Sequence, residues 1–174
     1  EMFEQPPMNY SASQPNDAIT RLQARLTDGS VKLGGREREL ISGLLRELKV
    51  PVASQVVVFS KTSLQIAHIS EKTPRALYFN DDTYIGWVQD SEYLEVAAVD
   101  DQLGVVFFGF HNRKEASPLL DREGGRCLTC HDTYSMMGGG VPRVMVMSAP
   151  VDHETDTRAK GSSATEVDDR TPIS

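Results

Sequence analysis

The chain has 174 residues, 39% of them hydrophobic and 25% charged, which is material for one ordinary core of roughly 100 to 150 residues with ragged ends. Eighteen Lys and Arg against 25 Asp and Glu leave a net charge of -7, arguing against a protein that tracks nucleic-acid phosphates and against a polybasic membrane patch. No apolar run approaches the roughly 18 residues that cross a bilayer, so a protein or small-molecule partner is the expectation. A signal peptide or lipid anchor removed ahead of Glu1 is one expectation for the start of the chain, and a trimmed chain is another.

Residues 1–15, "EMFEQPPMNYSASQP", have no hydrophobic period and read as an extended leader. A single domain is then expected over 16–151. In "NDAITRLQARLTDG" Asn16 or Asp17 suits an N-cap, Ile19, Leu22 and Leu26 share a helical stripe, and Gly29 follows the end. The next helix lies in "GRERELISGLLRELKVP". There Leu40, Ile41, Leu44, Leu45 and Leu48 form the apolar face, Lys49 suits the C-terminal dipole, and Pro51 stops the run.

From residue 55 the pattern turns to strand. "QVVVF", "RALYF", "TYIGWVQ", "YLEVAAV" and "GVVFFGFH" are separated by turn compositions such as "NDD", "DSE" and "DDQLG", as in an antiparallel meander. In the last of these, Val105, Phe107, Gly109 and His111 share one face while Val106, Phe108 and Phe110 share the other, so the strand is expected to be central. "NRKEASPLLDREGGR" reads as a polar connection and "GGGVPRVMVMSAPV" as a glycine turn with a short strand. Residues 152–174 carry six acids and three bases with little that is apolar, and read as a charged, mobile tail.

Both cysteines of the chain sit in Cys127-Leu128-Thr129-Cys130-His131. A covalent haem c takes two thiols to add to the porphyrin vinyl groups and an imidazole to bind the iron, and Cys-x-x-Cys-His supplies all three in one turn of chain. The pattern arises by chance on the order of once in a thousand chains of this length. Three competitors stay open. A thioredoxin-like dithiol would place Cys127 at a helix N-terminus after a strand of a βαβ unit. A zinc site would recruit two of His68, His111 and His153, none of which is spaced as a pair. A disulfide between Cys127 and Cys130 would close too small a loop to stabilise much.

The sixth ligand decides whether such an iron passes electrons or stays open to small molecules. Met136 and Met137, five and six residues beyond His131, reach at most about 17 to 22 Å and must round the porphyrin edge. Met145 and Met147 have about 46 to 58 Å of chain and share one face of "RVMVMS", so they are the preferred distal candidates. Core packing is their ordinary role. His111 competes as the end of a central strand; His68 and His153 are weaker. Lys61, Arg75, Arg126 and Arg143 are candidates to neutralise haem propionates. Tyr78, Tyr84, Trp87, Phe107, Phe108 and Phe110 suit either a haem wall or a plain core.

"FSKTSLQ" at 59–65, "PRALYFNDDTYIGWVQ" at 74–89, "CLTCH" and "GVP" at 140–142 together resemble a family of uncharacterised, secreted monohaem c-type cytochrome domain proteins, over residues from about 10 to 150. The resemblance implies one covalent haem c at Cys127 and Cys130, His131 as proximal ligand, and an extracytoplasmic, periplasmic or membrane-associated location. It also implies that the chain is a fragment of a longer protein. Small cytochromes c place this motif near the start of a mostly helical domain, so their fold is not carried over.

The expected fold is therefore α+β, with two N-terminal helices packed on an antiparallel β-sheet meander and a haem c-binding loop near the C-terminus. The expected function is electron transfer between redox protein partners or within a larger electron-transfer complex. A haem sensor with an open sixth site is the alternative. No convincing acid-base pair beside the motif points to an enzyme.

Overall fold

The computed structural model describes residues 2–59, 63–111 and 120–131. Helix α1, Ala18–Thr27, begins at an Asp17 cap: one carboxylate oxygen accepts from the backbone N–H of Ile19 (2.7 Å) and Thr20 (2.9 Å), the other from the Thr20 hydroxyl (2.8 Å). Helix α2, Glu37–Glu47, turns Leu40, Ile41, Leu44 and Leu45 inward, the stripe its sequence spells. Arg25 of α1 pairs with Glu47 of α2 at 3.1 Å.

Six strands follow: β1 (Val56–Val58), β2 (Arg75–Phe79), β3 (Thr83–Val88), β4 (Tyr93–Asp100), β5 (Gly104–His111) and β6 (Leu120–Glu123). They pair antiparallel in chain order, because short connections bring each strand back beside its predecessor. β5 lies between β4 and β6, and Val105 through Phe110 are buried on both faces, as its doubly apolar pattern requires.

The two faces of the sheet have different company. One face presents Tyr78, Ile85, Leu94, Val96, Phe108 and Phe110 to a core shared with Ile19, Leu22, Leu40 and Leu44 of the N-terminal helices. Trp87 pins α2 to this face by donating from its indole nitrogen to Glu37 at 2.5 Å. The other face carries Arg75, Gly86, Tyr93, Glu95, Phe107, Gly109 and His111. It is covered by the chain around Ser63–His68 and by the element that holds both cysteines.

Residues 2–15 also pack. Phe3 and Tyr10 belong to the core, their rings 6.1 Å apart and edge to face. The Tyr10 hydroxyl accepts from the N–H of Phe107 at 3.1 Å and donates to the Val105 carbonyl at 3.5 Å, occupying the edge of β5 at the end of β6. The guanidinium of Arg122 lies 4.5 Å from the Tyr10 ring centroid.

The architecture expected from the sequence is corrected at its functional end. A sixth strand occupies the segment read as a polar connection, and Cys127 through His131 lie on a helix, α3 (Gly125–His131), so there is no haem-binding loop there. Sheet dominates the described fold. The reason is one of length: a four-residue strand with three charged residues and a seven-residue helix that itself begins at a glycine both fall below the span over which periodicity can be read. Among the described residues no helix is long and apolar enough to cross a membrane.

Candidate functional site

A seven-residue helix is marginal by itself, and α3 is held by its surroundings. Leu128, its buried residue, enters the main core, and the Leu128 N–H closes the first turn on the Gly124 carbonyl at 3.0 Å. At the N-terminal end Arg126 pairs with Glu123 of β6 through both guanidinium and carboxylate atoms.

Helical geometry then does what the motif's spacing asks. Positions i, i+3 and i+4 fall on one side of a helix, so Cys127, Cys130 and His131 share a flank of α3 adjacent to the buried Leu128 side. Both thiols are free rather than joined in a disulfide. Cys130 is exposed and Cys127 is half-buried against the core. The His131 imidazole rests on the Phe107 ring of β5, centroids 4.5 Å apart and planes tilted by 46°.

Beside Cys127 the sheet contributes a polar group that the sequence reading did not single out. Tyr93 of β4 donates its hydroxyl to Glu123 at 3.0 Å, and its ring covers Gly109. A Cβ at Gly109 would come within 2.4 Å of the Tyr93 oxygen, so only glycine leaves room for that ring. The same device recurs two strands away, where a Cβ at Gly86 would meet the Arg75 guanidinium at 2.5 Å. Arg75 pairs with Glu95 at 2.7 Å, and Glu95 also accepts from Ser63 (2.7 Å), the Leu64 N–H (2.8 Å) and Gln65 (3.0 Å). The signal for these groups was a glycine on one strand next to a large polar residue on its neighbour, same face.

Burial pushes the Cys127 thiol up to about 12, with the negative charges of Glu123 and Glu95 adding to it. Burial and Glu123 also raise the Tyr93 phenol, which stays protonated and donates. A dithiol of the thioredoxin kind works through a first cysteine whose thiolate is stabilised; the surroundings of Cys127 do the reverse. Among the described residues no group of three or more His, Cys, Asp or Glu side chains converges as a metal cage.

Of the other sequence candidates, Arg75 and Arg126 are already paired with Glu95 and Glu123. His111 ends β5 on the face that carries Phe107 and meets the Tyr93 ring edge-on at 4.9 Å; its Nε2 lies 3.7 Å from Asp121. His68 is exposed and shares with His111 the lining of an open cleft of about 440 Å³, together with Gln65, Asp90 and Tyr93. Met136, Met137, Met145, Met147, His153, Lys61 and Arg143 lie outside the described residues.

The residues present fit a haem c by the chemistry of the donor set: two unbridged thiols and an imidazole on one helical flank, where the group asks for two thioethers and one nitrogen ligand. No family model matches this chain, and no protein of curated function and no solved structure matches it either.

Proposed function

We propose that this chain is a monohaem c-type cytochrome domain that passes electrons between redox partners outside the cytoplasm. The observation that carries the reading is the placement of Cys127, Cys130 and His131 on one flank of α3 with both thiols unbridged. When bound, haem c supplies a one-electron ferric/ferrous couple whose potential follows from axial ligation and burial.

The chain's own residues have distinct tasks. Cys127 and Cys130 would hold the group covalently, each thiol S–H adding across one vinyl group. His131 offers a ring nitrogen, and Phe107 limits the orientations open to that ring. Leu128 anchors α3 to the core and so fixes the three donors relative to the sheet. The net charge of -7 favours a basic docking face on the partner, with association that slows as salt is added. An extracytoplasmic site of assembly suits a chain whose only two cysteines form the motif.

The test is maturation of the full chain by a c-type haem assembly system, followed by a haem stain on the denatured protein. Haem that survives denaturation in the wild type, and is lost when Cys127 and Cys130 are both replaced by serine, is the expected result. A matured wild type without covalent haem rejects the reading. Carbon monoxide binding by the reduced holoprotein would turn the assignment from electron transfer to ligand sensing.

A further inference from the structure

Among the described residues no strand pairs with the outer edge of β1, and we propose that a second copy of this chain does so, β1 against β1, antiparallel, about a two-fold axis at Val57. This pairing stands independently of the cytochrome reading.

The two ends of the sheet are finished differently. β6, at one end, has three charged residues in four, as edge strands commonly do to keep other chains away. Its Arg122 also holds the carbonyls of Tyr10 and Ser13, and the Tyr10 hydroxyl takes up the β5 groups that lie beyond it. β1, at the other end, is three valines, and the chain over 50–60 contains no charged residue. Neither a lysine nor a proline guards the strand.

Backbone direction singles out Val57. In an antiparallel pair, successive residues alternately face the partner strand and face away from it. The Phe79 N–H of β2 turns to the β1 side, where it donates to the Ser54 hydroxyl at 2.9 Å. Leu77 and Arg75, two and four residues back, face the same way, so their partners Val56 and Val58 close the ladder between β1 and β2. Val88, opposite Arg75, agrees with this phase, because its N–H donates to Gln65 at 2.9 Å rather than to β2. Val57 therefore turns both its N–H and its carbonyl outward. A two-fold axis at that residue lets each Val57 donate to the carbonyl of the other, and sets Gln55 of one copy opposite Phe59 of the other.

The side chains suit the same occupant. Val56 is 43%, Val57 49% and Phe59 46% exposed, and Val52 and Phe79 beside them are exposed as well. Together they leave on the order of 400 Å² of apolar surface around this edge, the size of patch that marks an interaction site. An incoming strand has to be extended, uncharged and apolar on both faces. β1 is itself such a strand, with Val57 on the side of the N-terminal helices and Val56 and Val58 on the other. Two copies that each carry a net charge of -7 meet with least repulsion where residues 50–60 bring none. The pair buries on the order of 800 to 1,000 Å² in all, the low end for a specific interface, which sets the affinity in the micromolar range. Each copy offers one such edge, so assembly closes at two.

The experiment is sedimentation velocity of the full chain from about 1 µM to about 500 µM, with reductant present so that the exposed Cys130 does not link copies. The wild type is expected to pass from monomer to dimer over that range. Val57→Lys places a charge on the edge, and Val57→Pro deletes the outward donor without touching a bond to β2. Each should raise the dissociation constant at least tenfold while the circular dichroism stays that of the wild type. Val99→Lys, at an exposed position of β4 away from β1, should leave the constant unchanged. Amide exchange of the wild type reads the register: Val57 should exchange more slowly in the dimer than in the monomer, while Val56 and Val58 are protected in both. A chain that stays monomeric throughout, as it would if the apolar segment 141–151 or a different protein covered β1, overturns the proposal. So does a dimer in which Val57 exchanges as fast as in the monomer, a dimer weakened as much by Val99→Lys as by Val57→Lys, or an assembly that grows past two copies.

Discussion

The two thiols of α3 should differ sharply in reactivity. Only the thiolate attacks a thiol reagent, so the rate at a given pH scales with the fraction ionised. Cys127 is pushed from an ordinary 9.0 to about 12, first by burial and then by Glu123 and Glu95. Three units correspond to about a thousandfold less thiolate near neutral pH. Cys130 is exposed. The assay is reaction of haem-free protein with a chromogenic disulfide reagent, using Cys130→Ser to isolate Cys127 and Cys127→Ser to isolate Cys130. Cys127 should react on the order of a thousand times more slowly than a cysteine in a short unstructured peptide, and more slowly than the exposed Cys130. Adding Glu123→Gln to the Cys130→Ser background removes one of the two opposing charges and leaves burial in place, so it should recover only about tenfold. Adding Leu128→Ala, which loosens α3, should recover more. If Cys127 reacts within tenfold of the peptide cysteine, the half-buried placement of Cys127 on the α3 flank is wrong.

Two further outcomes concern the frame that holds the site. Asp100 is buried, which by itself opposes its charge, yet the backbone N–H groups of Asn16 (2.6 Å), Gln102 (2.8 Å) and Leu103 (2.8 Å) hold its carboxyl below the usual range. A carboxyl lowered on folding contributes stability above its unfolded value of about 3.9, and that contribution is lost as pH falls through the lower folded value. Asp100→Ala should therefore cost about 2 kcal/mol in denaturant unfolding at pH 7, a gap that narrows below about pH 4; a gap that stays constant into acid contradicts this. Glu95→Ala leaves Arg75 without its carboxylate and should cost about 3 kcal/mol, whereas Arg75→Met with Glu95→Leu should restore only part of it, because Ser63, Leu64 and Gln65 also donate to Glu95. Equal loss in the single and double variants would show that the pair is not acting as a unit.

The elements legible in the sequence are those in which one periodicity runs long enough to be counted. Leu40, Ile41, Leu44 and Leu45 locate α2 to within a residue or two, and the strands from Arg75 to His111 fall on their apolar alternations. Cys127, Cys130 and His131 were legible as a motif because the Cys-x-x-Cys-His spacing can be read whatever the fold around it. What escaped depends on tertiary partners. Leu120 and Arg122 are inward positions of β6 only because Phe110 and Phe108 stand opposite them. Tyr10 looks like part of a polar leader until the end of β6 exposes the N–H and carbonyl of β5 that its hydroxyl occupies. Cys127 through His131 look like loop because nothing in seven residues announces that Leu128 has a core to enter.

The doubly apolar pattern of β5 carried more information than a central position in the sheet. A strand with helices on one face alone could leave the other polar, as antiparallel sheets commonly do. Here Phe107 is 7% exposed on the face away from α1 and α2, so something else must cover it, and His131 of α3 does so in part. On that same face the pattern lapses at Gly109 and turns polar at His111. A purely structural strand would continue with a third apolar residue, as the other face does with Phe110. The lapse makes room for Tyr93, and the polar end opens on the cleft beside His68. The face that packs on the N-terminal helices and the face that α3 covers are thus written in alternate residues of one strand. The face whose apolar pattern is broken is the one on which α3 lies.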